Sequence, residues 1–250
     1  MTWPDNAESS VAPGAPESTE EFDSTALPLE RSVRVAARAL SRAGLAQAFG
    51  HVSARLDSAS FAVCPPMPMG LVPVGMRCPT VPVEGPLPDG VPGEVRIHQS
   101  IYAQRPDIAA VCRIQPPAVM TLSTMGLLPR ARHGFGCYVA QDAQFWDDIQ
   151  LVRDQRAAAA VAKALGNSSS VILRGNGAVV ASSSLRRAVA LSWFLEDAAR
   201  IELEHLRAGT ADSAPVITDD EAARRATWSG GIEDRMWAHL VAGDPEYPPS

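Results

Sequence analysis

The chain has 250 residues, 46% of them apolar, four cysteines and a formal net charge of −6. That length and apolar content support one substantial core, while the negative charge disfavours nucleic acid as a partner, because phosphate binding needs a basic face. No apolar run approaches the roughly 20 residues that span a bilayer. Cys64, Cys78, Cys112 and Cys137 show no metal-like spacing and follow no secretory segment, so a soluble cytoplasmic chain with reduced thiols and no membrane contact is expected.

Residues 1–27 are rich in Ser, Pro, Glu and Ala, too polar to offset their ordering entropy, and are expected to form a disordered tail. Order should begin near Leu29, where Val33, Ala36, Ala37, Leu40 and Ala43 recur at helical spacing and Gly44 supplies a stop. Gly50-His51-Val52-Ser53-Ala54-Arg55 then reads as a loop and Phe61-Ala62-Val63 as a short strand. The proline-crowded stretch from Cys64 to Pro92 suggests irregular chain, with short strands near Leu71–Val74 and Thr80–Val83. Gly93 to Gln104 reads as a helix with Val95, Ile97, His98, Ile101 and Tyr102 near its inner face.

The apolar run Ile108–Ile114 fits a strand buried on both faces, ended by Pro116-Pro117. Ala118–Met125 and Arg156–Leu165 are expected to be helices. Ser170–Leu173 and Ala178–Ala181 are expected to be strands joined by the turn Arg174-Gly175-Asn176-Gly177. Leu185–Leu206 is the longest amphipathic helix. From Gly209 the chain becomes acidic, with short helices expected at Asp219–Ala226 and Gly231–Leu240. The resulting division is a tail (1–27), a main domain (28–208) and a C-terminal extension (209–250).

Four segments, in order, resemble the class II aldolase/adducin family. They are Ala43-Gly44-Leu45 with Gly50–Arg55, then Glu94–His98 running into Ile101-Tyr102 and Arg105-Pro106-Asp107, then Ala109–Pro116, and lastly Leu173–Val180. Periodicity by itself supports an α/β chain. The resemblance implies a three-layer α/β/α domain with a central, mostly antiparallel sheet, assembled as a homo-oligomer, a tetramer, with active sites between subunits.

The resemblance also implies where a catalytic metal would be held. The family carries two histidines one residue apart in the third segment and another between glycines in the fourth. Here Arg113, Gln115 and Asn176 stand at those positions, and only Glu94 matches the family's carboxylate. Arginine does not deprotonate in proteins and cannot ligate a cation. No metal or other cofactor is therefore expected. The alternative, a rebuilt metal site, needs His51, His98 or His133 to converge beside Glu94. The family's sugar-phosphate cradle is also altered, with Phe49, His51, Pro92 and Gly93 in its neighbourhoods.

The expected function is a metal-independent lyase: aldol or retro-aldol cleavage, decarboxylation, dehydration or cyclisation through an enolate-like intermediate. The substrate class is a non-phosphorylated carbonyl or carboxylate compound. Candidate catalytic residues are Glu94 as the base, Arg113 as the fixed cation and His98, one turn after Glu94. Candidate substrate-binding residues are His51, Ser53, Gln115, Asn176 and His133. The rival from another class is a non-catalytic scaffold, since adducin heads keep this framework without its metal ligands. A lysine Schiff base is disfavoured because Lys163, the single lysine, lies on an alanine-rich helix expected to face solvent.

Overall fold

In the computed structural model the described residues are 29–247, so the tail expected over 1–27 lies outside them. The first helix, α1 (Leu29–Arg42), buries Val33, Ala36, Ala37 and Leu40 at the spacing read from the sequence. It leads into a seven-stranded sheet: β1 (His51–Arg55), β2 (Ser60–Val63), β3 (Thr80–Pro82), β4 (Ala110–Ile114), β5 (Gln144–Trp146), β6 (Ser170–Leu173) and β7 (Ala178–Ser182). The spatial order is β3-β2-β1-β4-β7-β6-β5, and every pairing is antiparallel except β5 with β6.

Helices cover both faces. On one side α1, α3 (Pro117–Thr124), α5 (Leu185–Arg207) and α7 (Ile232–Val241) pack on Val52, Ala54, Cys112, Ile114 and Val180. On the other side α2 (Arg96–Gln104) and α4 (Gln155–Leu165) pack on Phe61, Val63, Val111, Val171 and Val179. The odd and even residues of β4 thus enter different layers, as the two-residue strand period requires. The three-layer α/β/α architecture matches the expectation. Among these residues no helix is long and apolar enough to cross a membrane.

Two local expectations are corrected, and one strand goes unread in the sequence. Gly50–Arg55 is not a loop: His51–Arg55 is a strand near the sheet centre, concealed because His51 and Ser53 are polar yet buried. Leu71–Val74 is not a strand; a single 3₁₀ turn, Met69–Leu71, lies there among prolines, with Leu71 and Val74 exposed. The edge strand β5 was not anticipated, since three residues carry no readable period.

The acidic C-terminal residues are tied to α1. Asp244 and Glu246 are buried and accept hydrogen bonds from Arg38 (Nη2 to Asp244 Oδ1, 2.7 Å) and Arg34 (Nε to Glu246 Oε2, 3.0 Å). Arg38 also reaches Glu246 Oε2 at 2.8 Å, and Arg42 reaches Asp244 Oδ2 at 2.9 Å. Between α5 and α7 stands α6 (Asp219–Arg225), begun by a capping box between Thr218 and Glu221.

Candidate active site

Strand alternation turns Val52 and Ala54 toward the α1 layer and His51 and Ser53 toward α2. On α2, His98 and Tyr102 are four residues apart and share one helix face. The two elements are joined by a chain of short hydrogen bonds. His51 Nδ1 lies 2.7 Å from His98 Nε2, His98 Nδ1 2.6 Å from Ser53 Oγ, and Ser53 Oγ 2.8 Å from Tyr102 Oη. All four side chains are buried. The Phe61 ring lies against Tyr102 and His98, with centroids 4.8 and 6.4 Å away.

Burial, helped by the nearby Arg113 charge, pushes the His51 imidazole down to about 3. Burial, then His51 and Arg113, hold His98 well below the usual histidine range. Both rings are therefore neutral at pH 7. Burial raises the Tyr102 phenol, which stays protonated.

Arg113 sits on β4 directly opposite His51 in the β1–β4 ladder. Its side chain is only 1% exposed, yet among the described residues a single hydrogen bond holds it, Nη1 donating to Ile114 O at 2.8 Å. Glu94, in the 3₁₀ turn Gly93–Val95 that precedes α2, approaches through Oε1 to 3.8 Å from Arg113 Nη2, an ion pair beyond hydrogen-bond length. Arg113 Nε, Glu94 Oε1 and His51 Nε2 are all buried with no partner among the described residues. Burial lowers the Arg113 pKa against the opposing pull of Glu94, but a guanidinium keeps its proton. A buried cation with most of its five N–H donors unused is costly without an anion.

Gln115 continues the Arg113 face of the strand. Its Nε2 donates to Asn176 Oδ1 at 3.1 Å, so these two predicted site residues meet. The turn that carries Asn176 depends on glycine: Gly177 has φ +80°, and a Cβ there would fall 2.1 Å from Ile114 O.

The sequence-predicted residues thus fall into two groups. Glu94 pairs with Arg113, Arg113 stands opposite His51 in the β1–β4 ladder, His51 is joined to His98 and through it to Ser53, and Gln115 is bonded to Asn176. His133 is not brought there. Its Nε2 lies 2.8 Å from Asp197 Oδ2 on α5, and its neighbour Phe135 stacks on Phe194, both in the opposite layer. Asp197 borders a groove of about 1030 Å³ between the end of α1, α3 and α5; none of Glu94, Arg113 or His51 lines it. His98 has both ring nitrogens engaged. Tyr102 is the member that sequence reasoning did not single out; its i, i+4 spacing from His98 was the available signal. Lys163 is exposed on α4.

A divalent metal does not fit this donor set. Arg113 brings a fixed positive charge against Glu94, and Gln115 and Asn176 are engaged with each other. Among the described residues no three His, Cys, Asp or Glu side chains converge as a metal-holding group. Of the histidines a rebuilt site would draw on, His51 and His98 stand together on the α2 side of the sheet, while His133 occupies the other layer.

A seven-stranded, mostly antiparallel sheet between two layers of helices is the fold that this chain shares with aldolases of known structure. The chain belongs to the family described as the class II aldolase and adducin N-terminal domain, whose model matches residues 31–203. It is 28% identical over 234 residues to a 3,4-dihydroxyphthalate decarboxylase of Arthrobacter keyseri, spanning 84% of this chain and 92% of that protein. It is 29% identical over 224 residues to another from Terrabacter sp. (strain DBF63), spanning 83% and 93%. Its fold is similar to that of the L-fuculose 1-phosphate aldolase from Glaciozyma antarctica PI12, with a TM-score of 0.69, 20% identity and coverage of 85% and 86%.

Proposed function

We propose that this chain is a metal-independent lyase that removes CO₂ from a small, non-phosphorylated carboxylate. The observation that carries the reading is the under-bonded, buried guanidinium of Arg113 with Glu94 beside it at 3.8 Å. The relatives named as decarboxylases of a dihydroxylated aromatic dicarboxylate support the choice of decarboxylation within the lyase class.

Arg113 anchors the substrate carboxylate with parallel N–H donors, as arginine does for planar anions. Glu94 stands beside that anchor and, as the general acid, supplies the proton for the carbon that loses CO₂. The C–CO₂⁻ bond breaks, its electron pair forms the new C–H bond with the Glu94 proton, CO₂ leaves, and water reprotonates Glu94. Gln115 and Asn176, tied to each other, border the substrate and orient it.

The test is CO₂ release from candidate carboxylates by the purified, chelator-treated chain. Glu94→Gln is expected to reduce turnover by about 100-fold while binding changes little, as for a lost general acid. Arg113→Ala is expected to weaken binding and turnover together. A non-catalytic scaffold predicts the opposite: no carboxylate is consumed, and both variants complement a deletion strain at the wild-type level.

A further inference from the structure

The strap between β5 and α4, residues 147–153, is fastened at both ends and open in the middle. At its start the Arg174 N–H donates to Trp146 O at 3.0 Å, and Asp147 pairs with the Arg174 guanidinium. Asp148 Oδ1 then accepts the Gln150 N–H at 2.9 Å, which shapes the chain locally. At its end Val152 is buried in the layer of α2 and α4, and Asp154 caps α4 by accepting the Ala157 N–H at 2.9 Å. Between these fastenings Ile149 is 50% exposed and Leu151 51%. Single exposed apolar residues are ordinary; the position of Ile149 is what gives it meaning.

Two glycines fix that position. A Cβ built at Gly175 would fall 2.8 Å from Ile149 Cδ1, and one at Gly93 would fall 3.3 Å from Arg153 Cβ. Each glycine immediately precedes a candidate-site residue, Asn176 in one case and Glu94 in the other. Asn176 is bonded to Gln115, which continues the Arg113 face of the strand, and Glu94 pairs with Arg113 directly. Contacts therefore leave Arg113 along two arms, one through Glu94 and Gly93 to Arg153, the other through Gln115, Asn176 and Gly175 to Ile149. The strap closes the ring, since the four steps from Ile149 to Arg153 span at most about 14 Å. Around this ring exposure rises from 1% at the Arg113 side chain to half at Ile149. An acid whose carboxylate reaches Arg113 from solvent thus leaves its remainder against Ile149.

We infer that Ile149 is a specificity-determining wall of the site, packing against the hydrocarbon body of the acid whose carboxylate Arg113 holds. The site therefore selects acids by the apolar length that extends from the carboxylate to the strap. This assignment deepens the proposed function and rests on its Arg113 anchor. Gly175, at φ +63°, is what lets Ile149 lie on the turn, because a side chain there would meet it. The fastened ends hold the wall in place before the ligand arrives, so the contact costs little ordering entropy.

The test is NMR titration of the full chain with acetate, butyrate and hexanoate. Affinity is expected to rise about two- to fourfold for each added methylene, the worth of apolar surface partly or wholly removed from water. Ile149→Ser is expected to flatten the series while acetate affinity stays within about twofold, and Ile149→Leu is expected to keep the rise. Arg113→Met is expected to weaken all three acids by the same factor. If the wild type binds the three equally while Arg113→Met weakens each, the wall fails and the carboxylate anchor stands. If Arg113→Met leaves all three unchanged, the anchor fails and the inference falls with it. A rise that survives Ile149→Ser, or no measurable wild-type binding of hexanoate, also overturns the inference.

Discussion

Glu246→Gln probes the contact that fastens the C-terminal residues to the body. The Glu246 carboxylate is 6% exposed and receives Arg34 Nε at 3.0 and 3.1 Å, Arg38 Nη2 at 2.8 Å and the Gly75 backbone N–H at 3.2 Å. The same arginines donate to Met76 O and Val72 O, so the acid unites α1, the loop around residue 75 and the chain end. Burial alone disfavours the ionised form, but the hydrogen bonds from Arg34 and Arg38 overcome it and hold the carboxyl at about 2, against an ordinary value of 4.5. A depression of that size corresponds to about 3 kcal/mol of stability. Because the folded value is the lower one, this contribution is complete above about pH 4.5 and is lost as pH falls toward 2.

The glutamine variant keeps the shape and loses the charge. It is expected to be less stable by about 3 kcal/mol at pH 7, a fall in Tm of roughly 6–12 °C for a chain this long. The deficit should shrink between about pH 4.5 and pH 2, where the wild-type carboxylate also neutralises. Denaturant melts of both proteins at pH 7 and pH 3.5 measure it. A deficit under about 1 kcal/mol at pH 7, or one equally large at pH 3.5, refutes the assignment of this stability to a paired carboxylate.

Three further outcomes follow from the same structure. Gly177→Ala places a methyl group on Ile114 O at a positive-φ position, so a loss of about 3 kcal/mol or more is expected by thermal melting; a neutral substitution refutes the turn geometry. The purified chain is expected to contain far less than one zinc per molecule, with a Tm unchanged by EDTA, because Arg113 opposes any cation beside Glu94; stoichiometric zinc that stabilises the fold contradicts this. Burial pushes the Cys64 and Cys112 thiols up to about 12 and Cys78 to about 11, so these should react with a thiol-directed probe only after denaturant is added; rapid labelling of the folded chain counts against it.

Much of the fold was legible in the residues because it rests on local periodicity. The apolar spacing of α1 and the continuous run that became β4 each record which side of an element is buried. The chemistry of the candidate site was also partly legible: strand alternation puts Arg113 and Gln115 on one face whatever surrounds them, and Arg113 brings a permanent charge. What periodicity could not disclose was β1, whose inward side is made of His51 and Ser53 and resembles a loop until α2 supplies His98 and Tyr102 to satisfy them. Residues 45 or more positions apart had to meet before those polar groups became tolerable inside. Only the tertiary structure decided that His133 faces Asp197 in the opposite layer and that Glu246 closes on Arg34 across 212 positions. It also decided that His51 presents an unpartnered nitrogen beside Arg113. Such pairings depend on side-chain direction and register between distant segments, which the order of amino acids specifies only through the folded whole.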